Sequence, residues 1–320
     1  MFVRMMMCIS ESMRTHSMLG AQMGSARHFW MQAVTGGTLP DNPRMTPIRC
    51  LLALTSLLIA TAGVAQTARS TATPNLVLVL QAPDRAFPLT LVRAGAFSPF
   101  ELTAESLQPG QRVQLHQAGA HVGEARVDRL QVEERQGCSE GSHAVLATPL
   151  PVANGTPALV TTRPLKDLGV ERGAAVTDAD RAAARDLART ILARHQAPAA
   201  ALADTLAALR VSVVRIERAG PPVLVASSHI ENQDNVQTLF FVAERTPQGT
   251  HAATYEEFFR GGAGASALME MDFVDHADLD DDGIAELVYA YAGYEWTGYG
   301  VLKRHAGGWT AVHAQAVGGC

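Results

Sequence analysis

The chain has 320 residues, a formal net charge of −5 and a hydrophobic fraction of 47%. Setting aside residues 1–65, which read below as lying outside the mature protein, removes five basic and two acidic side chains from totals of 26 and 31, leaving 21 against 29 and a net charge of −8. That balance offers no basic face to nucleic acid, and the remaining length suffices for one large domain or two modest ones with proper cores.

The stretch from Met45 to Arg49 is a short basic segment, the run that follows it is apolar, and Gly63 and Ala65 are small residues just before Gln66. This is the pattern of a secretory signal peptide over 45–65, cleaved after Ala65, with an apolar run too short to span a bilayer comfortably; the alternative is an uncleaved anchor. An export signal normally opens a nascent chain, and nine of the eleven Met lie at or before Met45. The expectation is therefore that Met45 is the true start, that 1–44 is an over-extended N-terminus, and that the mature chain is periplasmic or secreted with no transmembrane segment. The Ala- and Arg-rich, Lys-poor composition looks bacterial. Cys8 and Cys50 fall outside the mature chain, and Cys50 precedes the apolar run where a lipoprotein cysteine would follow it. Cys138 and Cys320 then either pair with each other in an oxidising compartment or stay as two unpaired thiols.

Residues 66–75 are polar and read as a flexible mature terminus. From 76 to about 165 short apolar or alternating runs (76–80, 111–115, 125–130), with Pro109-Gly110 and Ala118-Gly119-Ala120 between them, predict a small β-rich module. Over 177–210 the pattern turns helical. Thr177 stands as N-cap before Asp178 and Asp180, and Leu187, Ile191 and Leu192, then Leu202, Leu206 and Leu209 beyond Pro198, recur at helical spacing. Two helices, or one kinked at Pro198, are expected. Strand patterns return at 211–218, 223–229, 238–243, 253–259, 268–274, 286–292, 300–305 and 309–313, punctuated by Gly and Pro pairs. The fold class is thus α+β: an N-terminal small β-rich module, one or two central helices, and a C-terminal antiparallel β-sheet over 211–320.

The chemistry concentrates in Asp278-Leu-Asp280-Asp281-Asp282-Gly283-Ile284-Ala-Glu286. Calcium takes six to eight oxygen ligands, so a site needs carboxylates and carbonyls converging on one point. Asp278, Asp280 and Asp282 supply positions 1, 3 and 5, the Ile284 carbonyl position 7 and Glu286 position 9, while Gly283 permits the positive φ of a sharp turn. An EF-hand would need a bidentate Glu at position 12 and flanking helices, but position 12 is Tyr289 and the flanks read as strands. The run Asp278-x-Asp280-x-Asp282-Gly283-x-x-Glu286-Leu287-Val288 resembles the calcium loop of FG-GAP and VCBS-type repeats, the kind found in integrin α-chain propellers and many exported bacterial proteins. The resemblance implies a strand–loop–strand calcium site with Asp278, Asp280, Asp282, Glu286 and the Ile284 carbonyl as ligands, present in a single copy, with Glu286 where family members often carry Asp. Between 261 and 302 there are nine acidic residues and no Lys or Arg, so the loop carries a charge that needs a counter-ion.

Tyr291, Tyr294, Trp296 and Tyr299, with Tyr289 and Trp309 nearby, offer either a platform on which sugar rings stack or the aromatic cover of a core. No G-x-S-x-G elbow accompanies Gly141-Ser142-His143, no His set has transition-metal spacing, and 261–264 makes no phosphate cradle. Asn154-Gly155-Thr156 matches a glycosylation acceptor that usually means nothing in a bacterial protein. Asp272, Asp275 and Glu295 are the nearest to paired hydrolytic carboxylates, a signal of low specificity. The expected function is that of an exported, non-enzymatic calcium-binding protein of the bacterial envelope, structural or interacting with an envelope protein or a glycan. The alternatives are a carbohydrate-binding or glycan-hydrolysing module using the aromatic cluster, and a periplasmic enzyme inhibitor.

Overall fold

A computed structural model of the chain describes residues 73–81, 83–131, 141–152, 156–169, 175–232, 235–261, 270–293 and 295–319. The N-terminal 1–44 stretch, the signal peptide, residues 66–72 of the expected terminus, Cys138, Cys320, Tyr294, Asn154 and 262–264 lie outside the described residues.

Described residues are mostly β, in antiparallel sheets, with two helices. The first sheet holds β1 (Asn75–Gln81), β2 (Arg85–Arg93), β3 (Ala96–Ser98), β4 (Arg112–Gln117), β5 (Ala120–Gln131), β6 (His143–Leu146) and β7 (Ala158–Thr161). Its order is β1-β7-β4-β5-β6-β2-β3, and β1 also pairs with β2, so six strands close into a barrel with β3 as an outer flap. Every strand of the ring contributes to one core that includes Leu76, Leu78, Leu80, Ala86, Val113, Leu115, Ala125, Val127, Leu146 and Val160. The alternate residues of β1, Val77 and Val79, face outward into a second core. Burial on both faces is why β1 reads as a continuous apolar run without alternation. Pro88, which has no N–H to give the ladder, sits where the β1–β2 register slips.

Helix α1 (Asp178–Arg194) starts at a capping box in which the Thr177 hydroxyl accepts from the Asp180 N–H and the Asp180 carboxylate accepts from the Thr177 N–H. The chain breaks at Pro198, and α2 (Ala199–Ala207) follows. The second sheet runs β11 (His251–Gly261), β10 (Asn235–Arg245), β9 (Val223–Asn232), β8 (Arg210–Val214). The third is a plain meander of β12 (Glu270–Ala277), β13 (Glu286–Ala292), β14 (Trp296–His305) and β15 (Gly308–Gly319).

Side-chain alternation stacks these pieces in four layers. Val288, Tyr299 and Val301 of the meander pack with Val77, Val79, Phe87 and Leu89 of the barrel. Leu287, Tyr289 and Leu302, on its other face, pack with Val214, Val225, Phe240 and Val242 of the second sheet. That sheet's far face, with Leu239 and Phe241, is covered by Ala184, Ala188, Ile191 and Leu192 of α1. Polar ties reinforce the barrel–meander join. Asp275 of β12 accepts from the Ala118 and Gly119 N–H groups of the β4–β5 turn at 3.1 and 3.2 Å. Gln315 of β15 exchanges two hydrogen bonds with the backbone of Phe100.

Candidate metal centre

The loop 278–285 joins β12 to β13, whose register ends at Ala277↔Glu286. Its turn uses two left-handed residues, Asp281 at φ 66° and Gly283 at φ 91°. Asp tolerates that region because its short side chain bonds locally, and Gly has no Cβ to clash. The loop is laced by its own carboxylates. Asp278 Oδ2 accepts from the Gly283 N–H (2.9 Å), Asp282 Oδ1 from the Ile284 N–H (2.9 Å) and Glu286 Oε2 from the Leu279 N–H (2.8 Å). It also meets every β layer. The Ala285 N–H donates to the Ile216 carbonyl just past β8 (2.7 Å), and Gly95 at the tip of the β2–β3 turn lies against Asp280.

Asp278, Asp280 and Glu286 bring one carboxylate oxygen each to within 4.8 Å of one another. Asp278 and Glu286 are each 1% exposed. Two oxygens in this group, Asp278 Oδ1 and Asp280 Oδ1, are buried without a hydrogen-bond partner. Burying an unsatisfied carboxylate oxygen is costly, and a hard cation placed between the two would relieve both at once. The donor set therefore fits an oxygen-ligated divalent ion. Asp282 stands apart from this trio: one of its oxygens holds the Ile284 N–H and the other meets Lys303. Ile284 is half-buried and packs on the core between the second and third sheets.

Lys303, on β14, was not among the expected site residues. Its ammonium donates to Asp280, to Asp282 Oδ2 at 2.6 Å and to Glu286 Oε1 at 3.3 Å, so its three N–H bonds meet three carboxylates. The stretch without Lys or Arg ends at Leu302, one residue short of the cation that the fold returns to the loop. The β13–β14 register pairs Leu287 with Leu302, which sets Lys303 beside Glu286 across the ladder, a placement only the fold supplies. The signal available in the sequence is rarity: the chain contains only two Lys, at 166 and 303, and the fold puts Lys166 in the cleft beside Asp278.

Burial, reinforced by the Asp280 charge, pushes the Glu286 carboxyl up to about 8, and burial likewise raises Asp278. Burial acts on Asp282 in the same sense, but the Lys303 and Ile284 hydrogen bonds outweigh it and hold that carboxyl below its usual range. For Lys303 burial works against the charge, yet the bonds to Asp280 and Asp282 outweigh it and keep the ammonium well above the ordinary lysine range. Desolvation thus wins at Glu286, while Lys303 is held charged chiefly by the two aspartates.

The other candidates are placed differently. Tyr289 and Tyr291 lie across from Gly300 and Gly298 and fold over them; a Cβ at Gly300 would stand 2.1 Å from Tyr289 Cζ. Trp296 meets Tyr291 edge to face at 5.3 Å. Tyr299 points to the opposite face and is 3% exposed in the barrel-side core. Asp272 is engaged by Arg210 and the Ser227 hydroxyl, and Asp275 by three backbone amides, while Glu295 is exposed. His276 is buried on β12, and His143 Nδ1 pairs with the Gly141 carbonyl. No helix among the described residues is long and apolar enough to cross a membrane. Comparison with protein-family models, with curated proteins and with solved structures finds no match.

Proposed function

We propose that this is an exported bacterial protein, periplasmic or secreted, in which a calcium ion at the β12–β13 loop staples a β-rich scaffold, and that its role is structural or interactive and not catalytic. The observation that carries the reading is the pair of buried, partnerless oxygens, Asp278 Oδ1 and Asp280 Oδ1, grouped with Glu286. Asp278, Asp280 and Glu286 would hold the ion. The ion would supply charge neutralisation and cross-linking, and nothing in the reading asks it for Lewis-acid chemistry. Calcium is favoured over magnesium because the loop offers several carboxylates in an irregular arrangement, whereas magnesium demands near-ideal octahedral geometry and keeps several waters. The loop's contacts with the β2–β3 turn and with Ile216 explain why a single ion there would matter to the whole scaffold.

Thermal melting with calcium, with magnesium and with chelator, on wild type and Asp280→Ala, tests this. At a hundred times its Kd, a ligand specific for the folded state adds about 2.7 kcal/mol. For a domain of this size that is a rise of roughly 5–10 °C. Calcium should produce it in the wild type and not in the variant. Identical melts in every condition would end the proposal.

A further inference from the structure

We infer that the Lys303 ammonium is the loop's resident counter-ion and that a divalent cation enters the site only by displacing it, so that the site competes with itself. The inference rests on reading the loop as a cation site and adds how occupancy is controlled.

Four carboxylates, those of Asp278, Asp280, Asp282 and Glu286, face one ammonium whose three donors are spent on Asp280, Asp282 and Glu286. Two of those partners, Asp280 and Glu286, also belong to the group able to hold an ion. A cation bridging that trio and an ammonium bonded to two of its members would be like charges in contact, in a place where burial weakens screening. One of them has to leave. Asp278 is untouched by Lys303; it is 1% exposed and still has a partnerless oxygen, so the ammonium leaves part of the site unsatisfied. The residue type suits a displaceable cation. Arginine would fork rigidly onto a carboxylate, whereas lysine carries a compact, strongly hydrated charge on a flexible stem, and the Lys303 side chain keeps 17% exposure as a route to solvent. This chain places Arg at 24 of its 26 cationic positions and Lys at only two, and both Lys are at this loop.

The test is calcium titration by calorimetry on the wild type and Lys303→Met, with each protein also melted in chelator. The variant should bind calcium at least tenfold more tightly, and in chelator it should melt lower than wild type because the loop has lost its counter-ion. A second measurement needs no variant. Reductive methylation with labelled formaldehyde gives separate signals for the two Lys, and Lys303 should react faster at saturating calcium than in chelator. Equal affinities, or Lys303 reactivity indifferent to calcium that demonstrably binds, would overturn displacement while leaving the metal site standing. Failure of both proteins to bind calcium would overturn the metal site and displacement together. If Lys303→Met does not fold, the wild-type methylation result decides alone.

Discussion

Replacing Asp275 with Ala should loosen the join between barrel and meander. The carboxylate is 2% exposed and accepts three backbone N–H groups: Ala118 and Gly119 of the β4–β5 turn at 3.1 and 3.2 Å, and His276 at 2.7 Å. A tight hairpin turn leaves its own amides unpaired, and these two are partly buried against β12, so truncation strands both donors. Each stranded donor costs about 1–3 kcal/mol. Removing a buried carboxylate also relieves its desolvation cost, which acts in the opposite direction. Because three donors converge on one acceptor, the lost bonds outweigh that relief, and a net loss of about 2–4 kcal/mol is expected, or roughly 5–15 °C in Tm. Asp275→Asn, which keeps one acceptor oxygen, should fall between wild type and Ala. Urea unfolding followed by tryptophan fluorescence reads the difference, since Trp296 and Trp309 both lie in the meander. An Ala variant within 0.5 kcal/mol of wild type would refute the idea that this carboxylate holds the two layers together.

Gly300→Ala should cost about 1–3 kcal/mol through overpacking, because its Cβ would meet Tyr289 Cζ at 2.1 Å; Gly307→Ala, with nothing within 4 Å, is the neutral control in the same denaturation series. Burial, helped by the nearby His121, lowers His116 from 6.5 to about 4. The folded state then resists a proton that the unfolded chain accepts. Stability should be full above pH 6.5 and fall as pH drops toward 4, by at most about 3 kcal/mol from this residue. Melting His116→Gln across that range should give a flatter profile than wild type, and an unchanged slope would count against the assignment.

Much of the local structure is legible in the sequence because it depends on neighbours along the chain. Thr177 and Asp180 make a capping box from side chains three residues apart, Pro198 breaks the helical run, and Gly283 takes the left-handed φ that the loop spacing asks for. Strands β6 and β7 escape the sequence because each has only four residues, too short a run to stand out from its surroundings. The closed barrel was equally hidden, since pairing of β1 with both β2 and β7 is a long-range choice.

The sequence by itself determined that a dense group of carboxylates stands on one loop between two strands, because ligand spacing and turn chemistry are properties of about a dozen consecutive residues. Tertiary structure decided which of those oxygens are buried, which are already spent on backbone amides, and which cation meets them. The β2–β3 turn reaches the loop at Asp280, the segment just past β8 reaches it at Ala285, and Lys303 arrives through the β13–β14 register. A charge that looks unneutralised along the chain is partly neutralised in space by Lys303, a pairing that no stretch of a dozen consecutive residues could reveal.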